Sequence, residues 1–202
     1  MMSAPFSTHL VDLGVHFRVS ENALRTTHAD SVGYQSPGHL EMRRIITLLS
    51  PGGQDIVYDL GSDKGRVLCL FAQRQVKRCT GMEFGHPLCD VATIATRNAD
   101  SLSGRKVRID IVCEDAATAD LNAGTFHFLY NLFGEQTLRD VLVKLQSSFE
   151  SVPRQVRIVH LHDRHAHVLA ESRWLENYHT EWEELAQPGK QASFWRNSRF
   201  VL

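Results

Sequence analysis

The chain has no surplus of charge of either sign. Its 202 residues carry 22 Lys and Arg against 23 Asp and Glu, for a formal net charge of -1. No basic tail or Lys/Arg run is present, so the sequence gives no strong nucleic-acid signal. Long apolar runs are also missing, and nothing is long enough to span a membrane. The opening Met1-Met2-Ser3-Ala4-Pro5-Phe6 lacks a charged head and an apolar stretch, so it does not read as a secretory signal. Cysteine is scarce: Cys69, Cys79, Cys89 and Cys113 form no C-x-x-C pair. Cys69 and Cys79 fall in expected core elements and read as buried reduced thiols rather than disulfides. No internal repeat, linker or low-complexity segment interrupts an otherwise ordinary globular composition. These absences describe a cytoplasmic protein with one core, which is what about 200 residues can build.

What is present begins at Ile56-Val57-Tyr58-Asp59-Leu60-Gly61-Ser62-Asp63-Lys64-Gly65-Arg66. Ile56 to Tyr58 is an apolar run of strand formers, and Gly61 and Gly65 bracket a turn. Val67, Leu68, Leu70 and Phe71 then recur at helical spacing. A second short strand, Cys79-Thr80-Gly81-Met82-Glu83, also ends in an acid. Strand, glycine turn, helix and strand ending in a carboxylate make a nucleoside-binding half of a doubly wound sheet.

A dinucleotide site wants G-x-G-x-x-G, so that a helix N-terminus can hold a pyrophosphate. Here the pattern is G-x-x-x-G, with Asp59 two residues before the first glycine. A carboxylate there repels a pyrophosphate but suits a ligand carrying an ammonium group. S-adenosylmethionine is such a ligand: an amino acid joined to a nucleoside, with no phosphate. Asp59-x-Gly61-x-x-x-Gly65-Arg66 followed by Gly81-Met82-Glu83 resembles the first two motifs of class I S-adenosylmethionine-dependent methyltransferases. The resemblance implies that Asp59, Gly61, Ser62 and Gly65 hold the methionine part of the cofactor and that Glu83 takes the ribose.

The rest of the chain extends this reading. Residues 1–50 form an N-terminal cap and lead-in helix, and residues 51–202 the core, within a single domain overall. Ser36 and Pro37 are expected to cap and open a helix carrying Leu40, Ile45, Ile46, Leu48 and Leu49. Tyr34 just before it is expected to act in a lid and to meet the substrate, since methyltransferases often fold such a segment over the cofactor. The third strand, Val107 to Cys113, runs into Glu114-Asp115-Ala116, where this family reads the adenine. Asp115 fits that role with Ala116 behind it; Glu114 is the alternate, and two solvated loop acids are the competing reading. The apolar strand Phe126 to Tyr130 stops at Asn131, at the carboxyl edge that faces the ligand crevice. Asn131-Leu132-Phe133-Gly134 resembles the Asn-Pro-Phe-type motif of amine and amide methyltransferases, with Leu132 in place of proline. That resemblance implies a carboxamide on Asn131 aiming an amine at the methyl group, with Phe133 as an aromatic wall for the substrate; the competing role for Asn131 is a helix cap. Over residues 33–160 these motifs together resemble the non-SET histone-lysine methyltransferases and their small bacterial relatives. Asp63 departs from that pattern, where glycine is usual, and the basic extension such enzymes use on nucleosomes is missing.

A histidine-rich stretch, His160-x-His162-Asp163-x-His165-x-His167, invites a metal reading, but no Cys or second carboxylate near it completes a ligand set, so no metal is expected. A helix is expected through Val168, Leu169, Trp174 and Leu175. Two strand-like runs around Gln187-Pro188-Gly189-Lys190 then form a terminal hairpin. The expected fold is α/β: a doubly wound, mostly parallel seven-stranded sheet with a C-terminal antiparallel hairpin. The expected function is direct in-line methyl transfer from S-adenosylmethionine, leaving S-adenosylhomocysteine, to an unidentified acceptor, a protein or a small molecule. The alternative is a non-catalytic S-adenosylmethionine-binding module, supported by Asp63 and Leu132. A nicotinamide oxidoreductase is disfavoured by Asp59 and by the hairpin.

Overall fold

The structure, a computed structural model, describes residues 38–103, 107–130, 134–162, 164–182 and 191–198. Tyr34, Asn131, Leu132, Phe133, Asp163 and the 187–190 turn lie outside the described residues. Among those described, the chain runs α1 (His39–Leu49), β1 (Ile56–Leu60), α2 (Arg66–Ala72), β2 (Arg78–Glu83), α3 (His86–Ser103), β3 (Arg108–Cys113), β4 (Phe126–Tyr130), α4 (Glu135–Ser151), β5 (Arg157–Leu161), α5 (Ala166–Glu171), β6 (Leu175–Trp182) and β7 (Gln191–Asn197). The strands form one sheet in the order β3-β2-β1-β4-β5-β7-β6. β3 to β5 are parallel, and β7 pairs antiparallel with both β5 and β6. This is the expected fold class, hairpin included. No helix among the described residues is long and apolar enough to cross a membrane.

Alternation along each strand feeds two cores, one on each face of the sheet. Val57, Phe126, Phe128, Tyr130, Val159 and Leu161 join α1 and α2 on one face. Tyr58, Leu60, Leu129 and Ile158 join α4 and α5 on the other. Phe71, Phe126, Phe128 and Phe194 are among the largest fully buried side chains. Each stabilises the fold by about 1.5–3 kcal/mol through burial.

Two helices differ from the sequence reading. α1 buries Met42, Ile45, Ile46 and Leu49, spaced i, i+3, i+4, i+7, while Leu40 is 78% and Leu48 47% exposed. Its N-cap is Gly38, whose N–H donates to Glu41 Oε2 at 3.2 Å; Ser36 and Pro37, expected to cap and open the helix, lie outside the described residues. The helix expected through Trp174 stops at Glu171, and Leu175 instead begins β6 opposite Asn197. Pairing with β7 outweighs the helical pattern there, and Trp174 packs on Phe149 at 5.2 Å between ring centroids. Neither Cys69 nor Cys79 is in a disulfide, and of the two only Cys79 is buried as expected, Cys69 being half-buried, whereas Cys89 of α3 is disulfide-bonded to Cys113 at the end of β3, with a Cα–Cα distance of 5.8 Å.

Candidate functional site

β1 delivers the chain into a turn that only a few residue types can make. Gly61 and Gly65 have φ of 86° and 74°, and Asp63 between them has φ of 48°. Left-handed backbone costs an L-residue roughly 1–2 kcal/mol, and Asp is among the few that enter it. Asp63 thus takes the conformation for which glycine is usual at this position. Its N–H donates to Glu83 Oε2 at 3.1 Å. The N–H groups of Gly61 and Ser62 both donate to the Met82 carbonyl, at 2.8 and 2.9 Å, so the turn lies flat against β2. Gly81 makes that approach possible: a Cβ there would stand 2.5 Å from Ser62 Oγ and 2.6 Å from Leu68 Cδ1.

The turn gathers carboxylates. Asp59 and Glu83 are buried, 3% and 6% exposed. Glu83 is fixed by two backbone donors, Gly85 N–H on Oε1 at 2.8 Å and Asp63 N–H on Oε2. Burial pushes all three acids up. Asp59 rises well above the usual carboxylate range, by burial and then by the charges of Asp63 and Glu83. Asp63 rises to about 7, by burial first, with Lys64 opposing and Glu83 adding. Glu83 rises by burial, opposed by its backbone donors. Asp59 Oδ2, Asp63 Oδ1 and Ser62 Oγ are buried with no hydrogen-bond partner among the described residues. Such groups each cost about 1–3 kcal/mol. A cationic ligand with donor groups relieves both the charge and the missing bonds; a phosphate relieves neither. The residues present therefore fit an amino-acid nucleoside better than a dinucleotide.

The next loop, after β3, packs against the end of β2. Glu114 is exposed and its N–H donates to the Glu83 carbonyl at 3.0 Å. Asp115 is half-buried and builds the turn that follows, accepting Ala117 N–H on Oδ1 at 2.9 Å and the N–H groups of Thr118 and Ala119 on its carbonyl. Ala116 is buried in the core cluster that holds Leu60 and Met82. The pair of loop acids is thus unequal: Asp115 is half-buried and held in the turn, and Glu114 is exposed.

At the other end, β4 stops at Tyr130, immediately before Asn131 in the chain. β5 ends beside it, and His162 turns out of the strand with φ of 53°. Its ring lies 4.8 Å from that of Tyr130, and its Nε2 is 3.4 Å from Glu41 Oε1 on α1. His160, two residues earlier in the same histidine-rich stretch, stays in β5, buried, with burial lowering its pKa to about 4. The Glu41–His162 pair was not legible because its partners stand on α1 and after β5. The sequence signal available was Glu41 three residues into a capped helix, which reads as a capping residue and also serves as one.

No family model and no curated protein matches this chain. Solved structures do. The chain is similar to an RNA methyltransferase from Salinibacter ruber solved with S-adenosyl-L-homocysteine, at 21% identity and a TM-score of 0.60, over 84% of this chain and 97% of that one. It is similar to a putative RNA methyltransferase from Pyrococcus horikoshii at 16% identity and a TM-score of 0.62, over 93% and 95%. It is also similar to an S-adenosylmethionine-dependent O-methyltransferase from Thermotoga maritima at 15% identity and a TM-score of 0.61, over 81% and 67%. None of these three is a histone-lysine enzyme, and that likeness stays one of sequence motifs. What the comparisons establish is architecture: this chain has the fold of the class I S-adenosylmethionine-dependent methyltransferases.

Proposed function

We propose that the chain binds S-adenosylmethionine at the carboxyl ends of β1 and β2 and transfers its methyl group to an acceptor held beyond β4. The observation that carries this reading is the carboxylate set around the Gly61–Gly65 turn, with Asp59 and Glu83 buried and Asp63 half-buried with one oxygen enclosed. When bound, the cofactor supplies a methyl group already activated on a sulfonium. The work left to the chain is binding and alignment. Asp59, with Gly61, Ser62 and Gly65, receives the methionine part; Glu83 accepts from the ribose hydroxyls; Asp115 and Ala116 take the adenine. Alignment of two reactants is worth on the order of 7–11 kcal/mol at best.

Asn131 is the proposed aligning residue, with Tyr34 and Phe133 lining the acceptor side. The amine acceptor rests on the Asn131-Leu132-Phe133-Gly134 motif. RNA is the acceptor named for two of the similar structures and belongs in any acceptor panel. Isothermal titration of the full chain with S-adenosylmethionine, S-adenosylhomocysteine and NAD tests the cofactor class. Saturable binding of the first two and none of NAD is expected; the reverse order sinks the reading. Release of S-adenosylhomocysteine over amine, RNA and hydroxyl acceptors then separates an enzyme from a binding module.

A further inference from the structure

Beyond the ends of β4 and β5, α4 and α5 bring together side chains from separate parts of the sequence. Glu135 opens α4, and His165 and His167 stand at the start of α5. A ligand atom from each lies within 4.8 Å of the other two. We propose that Glu135, His165 and His167 form a binding site for a borderline divalent transition-metal ion of the Zn2+ class.

The geometry is close to what such an ion needs. His167 Nε2 is 3.4 Å from Glu135 Oε2, and the two imidazoles lie 6.0 Å apart at 71°. Ligands about 2.0–2.2 Å from a tetrahedral zinc stand roughly 3.3–3.6 Å from one another. The Glu135–His167 edge already has that length. Exposed or half-buried side chains close the remaining gap by rotamer changes alone. Glu135 is also oriented from behind: Arg139 Nη2 donates to its Oε1 at 2.7 Å and to Glu171 Oε2 at 2.7 Å. That partner fixes the carboxylate with Oε2 toward His167, as outer-shell groups do at metal sites. The guanidinium charge sits between two carboxylates, so the cluster remains net negative. Two imidazoles and one carboxylate favour Zn2+, Co2+ or Ni2+ over Mg2+ or Ca2+. Three protein ligands leave a coordination position open to water or to an oxygen of a bound molecule.

Titration of the full chain with ZnCl2, and separately with MgCl2, tests this without cofactor or acceptor, so its outcome is independent of the methyl-transfer reading. Saturable binding of Zn2+ and none of Mg2+ is expected. His165→Ala and His167→Ala should each weaken Zn2+ on the order of tenfold or more, with circular dichroism unchanged because both side chains are solvent-accessible. Co2+ bound to the full chain should give visible absorption bands that both variants lose. No saturable Zn2+ binding overturns the proposal. So does Zn2+ binding that survives in both variants, which would place the ion on others of the 11 histidines.

Discussion

The proposed cofactor end and the region beyond β4 and β5 are assembled by different means. At the cofactor end, Asp59, the glycine turn and Glu83 belong to one strand–turn–helix–strand unit, and their charges are buried. Beyond β4 and β5, Glu41, Tyr130, His162, Glu135, His165 and His167 come from α1, β4, α4 and the segment after β5. The first end is a local fold whose geometry is set within one stretch of chain. The second is a meeting of elements brought together only by the sheet order. The difference predicts that single substitutions at the cofactor end act on binding, and those at the acceptor end act on turnover.

The largest effect should come from Gly61→Val. Gly61 needs φ of 86°, which a β-branched residue does not adopt without strain. S-adenosylhomocysteine binding should fall below detection by calorimetry while circular dichroism remains that of a folded α/β protein. A folded variant that binds normally would move the cofactor away from this turn.

Asn131→Ala probes the opposite end. If its carboxamide aligns the acceptor, its loss lowers turnover far more than cofactor affinity. A rate loss of about 10²-fold is the scale of an ångström misplacement, with S-adenosylhomocysteine affinity within a few-fold of the parent. Equal losses of binding and rate would make Asn131 a cofactor ligand or a helix cap and erase the contrast between the two ends.

The same contrast separates what the sequence revealed from what it hid. The Gly61–Gly65 turn and the strands on either side of it were legible because turn chemistry and strand pattern are local, and the fold class was read from them. The exposed faces of Leu40 and Leu48 were not, since apolar residues on α1 outnumber those its stripe can bury. Glu135 was missed as a partner of the histidine stretch because the carboxylate that stretch lacks arrives from another helix. The Cys89–Cys113 bond was hidden likewise, its partners lying on α3 and β3 with no motif spacing between them.

Glu83→Ala returns to the cofactor end with a smaller effect. A charge-assisted hydrogen bond is worth about 1.5–3 kcal/mol, so affinity for S-adenosylhomocysteine should fall at least about tenfold. The loss of the Gly85 and Asp63 N–H partners should also loosen the turn, which amide hydrogen exchange at those residues reads directly. Unchanged affinity would remove Glu83 from the site and leave the carboxylate set without its ribose role.

The smallest effect, and the one most specific to buried charge, concerns Asp63. Its folded pKa is about 7, against about 3.9 for a free side chain. Between those values the folded chain holds a proton that the unfolded chain has released. Stability from this group therefore falls as pH rises from about 4 to about 7 and is level above that. His127 and His160 work the other way: burial lowers them to about 3 and about 4, so their contribution rises with pH up to about 6.5. A bare stability profile mixes the two, and the informative quantity is the difference between the parent chain and Asp63→Asn. Without cofactor, that variant should be the more stable at pH 8 by on the order of 1 kcal/mol, with the advantage shrinking toward pH 5. A cationic cofactor stabilises the ionised carboxylate, so S-adenosylmethionine binding near pH 6 should release protons from the parent chain and fewer from Asp63→Asn. Calorimetry in buffers of different ionisation heat measures that release. Equal proton release from both proteins would mean that Asp63 does not face the ligand, and the buried charge at the cofactor end would then belong to Asp59 and Glu83 alone.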